Sequence, residues 1–135
     1  MLRSTLILVL GLALPGCSDT PTGPSDLVGV AWRLVAIEPP SGPATVVPNP
    51  ERYTLEFLDE GRVALRADCN SCSGPYTFAG DTLTMPTLAC TRAFCGTQSL
   101  DTAFTRGLEG PLSVSRDQSL LILRGAQATL RFRSE

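Results

Sequence analysis

Residues 68–95 read DCNSCSGPYTFAGDTLTMPTLACTRAFC and hold four of the chain's five cysteines, Cys69, Cys72, Cys90 and Cys95. The spacing is C-x2-C, a gap of 17 residues, then C-x4-C. Three chemistries use such a set: two structural disulfides, four thiolates on zinc, or a redox-active CxxC. Structural zinc takes its thiolates from short knuckles; Cys69 and Cys72 make one, whereas Cys90 and Cys95 are loosely spaced. A redox CxxC is activated at a helix N-terminus, but here Cys72 is followed by Ser73-Gly74-Pro75 and a strand-like run. Four cysteines allow three pairings, and spacing does not choose among them.

The compartment weighs on that choice. Met1 to Gly16 has the form of a bacterial lipoprotein signal: Arg3, then an apolar run from Thr5 to Leu14, then Leu14-Pro15-Gly16-Cys17. The apolar run is too short for an ordinary membrane span. The lipobox-like end implies that Cys17 becomes the lipidated first residue, carrying a thioether diacylglycerol and an N-acyl chain, more than stable anchoring requires. Thiols exported in this way oxidise, which favours disulfides. It also accounts for the odd cysteine: one lipidated, four paired. Ser18, directly after Cys17, resembles lipoproteins passed to the outer membrane. Residues 17–26 are then the lipidated Cys17 and a flexible Pro/Gly/Ser/Thr tether, and residues 27–135 a single domain.

Composition removes several function classes. The 135-residue chain carries 18% charged residues and a net charge of −2, with all eleven basic residues Arg. No concentrated basic face suggests nucleic acid. The chain contains no His, so His-based triads, His general bases and His metal ligands are all excluded. The lack of Lys removes Ser–Lys dyads and Schiff bases. These gaps predict a non-enzyme without cofactor or metal.

Period-two alternation predicts short strands. Val28 to Ile37 places Val30, Trp32, Leu34 and Ala36 on one face. Tyr53 to Phe57 turns Tyr53, Leu55 and Phe57 inward. Val63 to Cys69 does the same for Val63, Leu65, Ala67 and Cys69, leaving Arg66 and Asp68 on a solvated face. Between the first two strands, residues 38–50 hold five prolines and read as loop. Gly74 to Met85 reads as a hairpin about Ala79-Gly80-Asp81, and Leu88 to Cys95 returns beside Cys69. Ser99 to Leu108 is the one helix, with Leu100, Phe104 and Leu108 in one stripe, Ser99 as N-cap and Gly110-Pro111 as stop. Leu112 to Ser115, Leu120 to Arg124 and Ala128 to Arg133 close the chain. Roughly seven or eight strands and one helix predict a small antiparallel barrel-like domain.

The cysteine block resembles the core of the META domain, or HslJ-like, family of bacterial envelope proteins. The matching residues are Cys69-Asn70, Gly74, Leu83, Leu88-Ala89, Thr91-Arg92 and Cys95, with Trp32-Arg33-Leu34 and the closing strands outside the block. The resemblance implies a mainly β, HslJ-like barrel with one packed helix. The family's own cysteines fall at Cys69 and Cys95, so it implies nested bonds, Cys69–Cys95 and Cys72–Cys90. It also singles out Asn70, Thr91 and Arg92 as possible binding residues. Arg92 has the chemistry to clamp an anion; the plainer expectation is a local partner such as Asp68 or Asp101, with Asn70 a turn former.

These readings converge on a non-enzymatic, lipid-anchored envelope protein, monomeric, facing the periplasm from the outer membrane. Its stapled domain would bind another envelope protein or act under envelope stress. Two alternatives stand beside it: a small-molecule or lipid binder of lipocalin type, and a redox-active or zinc-binding four-cysteine protein.

Overall fold

The alternation that starts at Trp32 produces the first strand, β1 (Ala31–Glu38), with Trp32 and Leu34 buried and Arg33 exposed. The computed structural model describes residues 24–135. Cys17, the signal segment and most of the tether lie outside the described residues. Pro24–Asp26 forms one 3-10 turn.

Ten further strands follow among the described residues: β2 (Thr45–Val46), β3 (Tyr53–Leu58), β4 (Arg62–Ala67), β5 (Asn70–Pro75), β6 (Thr77–Ala79), β7 (Thr82–Thr84), β8 (Ala89–Cys90), β9 (Pro111–Asp117), β10 (Leu120–Arg124) and β11 (Thr129–Ser134). One helix, α1 (Asp101–Gly107), lies between β8 and β9. All eleven strands join one curled antiparallel sheet; ten follow the order β6-β7-β9-β10-β11-β1-β3-β4-β5-β8, and β2 pairs off this path with β1. Along one side of β1, β3 pairs with its first half and β2 with its second, while β11 pairs along the other side. The sheet is a half-barrel with two short edges, β6 and β8.

Two alternation patterns break, and each break has a local cause. A β-bulge falls between Leu34, which faces Phe132, and Ala36, which faces Arg131. The extra residue, Val35, shifts the pattern by one, so Ile37 enters the core where Ala36 was expected. The Val35 carbonyl accepts the Val47 N–H at 3.0 Å, which brings Val47 into the core from the proline-rich segment read as plain loop. The second break is at Asp68, whose φ of 61° is in the left-handed region that Asp tolerates better than most residues. This two-residue turn, with Ala67 paired to Asn70, rotates Asp68 inward and Cys69 outward. The expectation of a core-facing Cys69 and a solvated Asp68 is thereby reversed: Asp68 is 3% exposed and Cys69 is exposed.

The inner face of the sheet is filled by side chains. Trp32, Leu34, Leu55, Phe57, Leu121, Leu123, Leu130 and Phe132 are buried there, and α1 closes the space with Phe104 and Leu108. The Phe104 ring meets Tyr53 edge-on at 6.3 Å and Phe132 at 5.9 Å, within the range where aromatic pairs add to simple burial. Gly107 lets the helix approach β11, since a Cβ there would lie 2.8 Å from a Leu130 methyl. Ala103, expected beside the apolar stripe, is exposed. Ser99 Oγ accepts the Asp101 N–H at 3.2 Å, a capping contact one residue before Leu100 at the helix N-cap.

At the other side, Gly74 of β5 packs against the segment that leads to β8. A Cβ on Gly74 would stand 2.2 Å from the Thr87 carbonyl oxygen. Gly74→Ala is therefore expected to lower stability by about 1–3 kcal/mol through overpacking against backbone, read as a lower denaturant midpoint with both disulfides intact. An unchanged midpoint would show that the strap does not press on β5. A pH effect is expected where β1 meets β11. The Arg131 hydrogen bond, opposed by desolvation and aided by the Arg131 and Arg124 charges, holds the Glu38 carboxyl below its ordinary range. A depressed carboxyl contributes stability above its unfolded pKa and loses it as pH falls through the folded value. The wild type should thus exceed Glu38→Gln in stability at neutral pH, and the two should converge in acid below the usual carboxylate range. A difference independent of pH would assign the effect to packing.

Candidate functional site

The reversal at Asp68 sets up two polar clusters around the end of β4. The inward one joins Asp68, Arg52 and Tyr53. Arg52 forms an ion pair with Asp68 Oδ1, and the Tyr53 hydroxyl donates to Oδ2 at 3.2 Å. The same hydroxyl accepts the Leu100 N–H at 3.0 Å, so the buried carboxylate also positions the start of α1. A buried charge needs such pairing to be tolerated.

The other is built on Asn70, which is itself buried at 5% exposure. Its Oδ1 accepts the Ala93 N–H at 2.8 Å and the Thr91 hydroxyl at 3.0 Å. Its Nδ2 donates to the Ala93 carbonyl at 3.0 Å, Asp101 Oδ2 at 3.2 Å and Cys95 Sγ at 3.3 Å. The Ala93 backbone fixes the orientation of the amide, because its N–H requires the oxygen and its carbonyl the nitrogen. Thr91 extends the β8 ladder: its N–H donates to the Ser71 carbonyl, and its Oγ1 accepts the Ser71 N–H, both at 3.0 Å.

Disulfides join Cys69 to Cys95 and Cys72 to Cys90, with Cα separations of 5.6 and 4.0 Å. The inner bond spans paired residues of β5 and β8, and Cys72 is part of the core. The outer bond lies at the surface. Sulfurs joined in this way are not zinc ligands, and among the described residues no cluster of three Cys, Asp or Glu side chains forms a metal site. The nested staples and Asn70 together hold residues 91–95 in one shape. On that loop Phe94 is 84% exposed, and Arg92 is exposed beside it.

Asn70 and Thr91 are thus brought together, but their polar atoms are engaged by the loop. Among the described residues Arg92 forms no ion pair: Asp68 is held by Arg52 and Asp101 by Asn70. Arg92 and Arg106 border a cleft of about 430 Å³ between the loop and α1, together with Asp101 and Glu109. A shallower groove of about 710 Å³ runs over the outer face of β3, β4, β5 and β8, past Thr54, Glu56, Ala64, Arg66, Ser73 and Ala89. Sequence reasoning missed Phe94, and it offered Asp101 to Arg92 where the structure pairs it with Asn70. The signal for Phe94 was present: a large apolar residue in a stretch with no strand or helix period, between two cysteines.

The META domain family profile matches residues 25–135. The chain belongs to the META domain family. Solved structures agree with its META domain fold. An NMR structure of a protein from Burkholderia xenovorans has a TM-score of 0.67 and 22% identity, covering 95% of this chain and 99% of that one. A crystal structure of a lipocalin-like protein from Bacteroides uniformis has a TM-score of 0.58 and 18% identity, covering 82% and 99%. A DUF4847 family protein from Bacteroides vulgatus has a TM-score of 0.59 and 12% identity, covering 81% and 94%. At these identities the likeness is one of fold. No curated protein matches the chain.

Asn70→Ala should destabilise the META domain by about 2–3 kcal/mol, because it leaves the Ala93 N–H, the Ala93 carbonyl and the Thr91 hydroxyl without their partner. Phe94→Ala should change stability by no more than about 0.5 kcal/mol, as expected for an exposed site. Equal losses in the two variants, measured by chemical denaturation, would contradict the division between a buried clamp and a displayed side chain.

Proposed function

We propose that this META domain protein is a non-enzymatic, lipid-anchored envelope protein whose stapled loop binds another envelope protein. The observation that carries the reading is the state of Phe94. A large apolar side chain is held 84% exposed on a loop fixed by the Cys69–Cys95 bond and by four contacts between Asn70 and residues 91–95. Fixing a loop in advance removes ordering cost from binding, and a rigid aromatic beside Arg is the composition of protein-binding hot spots. The META family and the lipocalin-like structural neighbour fit a non-enzymatic role.

The anchoring part of the reading rests on the sequence. The lipobox-like end at Cys17 supports a lipid anchor, Ser18 supports the outer membrane, and the two disulfides support an oxidising compartment. A ligand inside the half-barrel, in the manner of a lipocalin, would have to displace Trp32, Phe57, Phe104 and Phe132, whose exposures are 0–1%. The filled interior therefore favours binding on the outside.

Two measurements test the proposal. Metabolic labelling with a fatty acid should mark the wild type and not Cys17→Ser; equal labelling refutes the anchor. A photocrosslinking amino acid at position 94 of the full chain, in cells, should yield a discrete adduct. The same probe at Gln127, in the exposed turn between β10 and β11, should not. No adduct at 94 above that at 127 refutes the displayed-loop reading.

A further inference from the structure

The two disulfides differ in burial and in the groups around their sulfurs. Cys72 is buried in the core and its bond to Cys90 ties two paired strands. Cys69 is exposed, and its bond to Cys95 crosses from the β4–β5 turn to the displayed loop. The sulfurs of the outer bond are themselves unequal. Cys95 Sγ accepts two N–H groups, from the Cys69 backbone and from Asn70 Nδ2, each at 3.3 Å. Cys69 Sγ receives no N–H donor among the described residues. The Ala93 carbonyl oxygen is 3.6 Å from Cys95 Sγ and 4.0 Å from Cys69 Sγ, and it is already engaged by Asn70 Nδ2.

In thiol–disulfide exchange, the sulfur that leaves does so as a thiolate, and exchange is faster when that thiolate is stabilised. N–H donors aimed at a sulfur favour its anionic form. Cys69, the more exposed residue of the pair and the one whose sulfur lacks such donors, is the one left for attack.

We propose that Cys69–Cys95 is a directional thiol-exchange site, attacked at Cys69 with Cys95 as leaving group, and that Cys72–Cys90 is inert. The reductant is an external thiol, a small one such as glutathione or the active thiol of an oxidoreductase. Its thiolate forms a bond to Cys69 Sγ while the Cys69–Cys95 bond breaks, and the electron pair departs on Cys95 Sγ. The product is a mixed disulfide on Cys69 and a thiolate at Cys95. A second equivalent of thiol attacks the mixed disulfide, releases Cys69 as thiolate and leaves the reductant as its own disulfide, a two-electron reduction in all. The Asn70 contacts to Thr91 and Ala93 do not involve sulfur, so they keep the two cysteines near one another after cleavage. Cleavage is therefore reversible: Cys95 remains placed to return and expel the thiol from Cys69. The site goes beyond the binding role of the loop and does not depend on it.

The test uses the full chain purified under oxidising conditions, with any free thiol alkylated beforehand. It is exposed to reduced glutathione at neutral pH without denaturant, quenched rapidly in acid, alkylated, and mapped by peptide mass spectrometry. The expected early product carries glutathione on Cys69 and the alkyl label on Cys95, with Cys72–Cys90 intact and reduced at least about tenfold more slowly. Asn70→Asp keeps the oxygen that accepts from Ala93 and Thr91 but replaces the Nδ2 donor, shared by Cys95 Sγ, the Ala93 carbonyl and Asp101, with a negative oxygen. It should slow cleavage about tenfold or abolish the preference for Cys69. Glutathione on Cys95, equal cleavage of both bonds, or no cleavage short of unfolding overturns the proposal. If Asn70→Asp does not fold, the wild-type product distribution decides alone.

Discussion

At Asp68 the backbone turns through a left-handed conformation, φ 61°, and the inside and outside of the sheet exchange places there. A strand continuing in register would send Cys69 into the core and Asp68 to water. With the reversal, the carboxylate goes in, where Arg52 and Tyr53 meet it, and the sulfur goes out, where Cys95 meets it. The next residue, Asn70, then points at the returning loop. Helix placement follows as well, since Tyr53 links Asp68 to the first turn of α1 through the Leu100 N–H. One backbone torsion thus fixes a buried ion pair, a surface disulfide and the start of the only α-helix among the described residues.

The interior is spent on stability. A half-barrel of this length has one core, and here side chains from both arms of the sheet and from α1 occupy it. The outer disulfide and the Asn70 contacts order a segment that has no period of its own. Burial organises the sheet, and hydrogen bonds with a covalent link organise the loop, so the two are separable in principle. That separation is what allows a surface loop to carry an exposed aromatic without loosening the fold.

Much of this was legible in the residues. The strands over Tyr53–Leu58, Leu120–Arg124 and Thr129–Ser134 alternate cleanly because one face meets the core and the other water. The helix stripe Leu100, Phe104, Leu108 was readable for the same reason. The strand β5 was not, since Asn70-Ser71-Cys72-Ser73-Gly74-Pro75 has the composition of a turn; it is extended because β4 pairs on one side and β8 on the other. The bulge at Val35 left no mark either, as no Gly or Pro announces it and the pairing with β11 alone creates it. Disulfide pairing is not a property of spacing, and the nested choice entered only through the likeness to a family. The Asn70 cluster joins residues up to 31 positions apart, a distance at which no local pattern in the chain reports contact.

The sheet order has a consequence for the sequence of events in folding. Its first long strand, β1, pairs along its full length with β11, the last element of the chain. That ladder closes a loop of nearly the whole domain, and closing long loops is slow. The β3–β4–β5 meander needs only short turns, and the segment that returns with Cys90 and Cys95 is complete well before β11 is reached. Chain order therefore lets the cysteine block come together before the final seam forms. A chain whose two bonds have closed by then would enter that last step with fewer unfolded conformations to search and with one half of its sheet prepared as a template for the other.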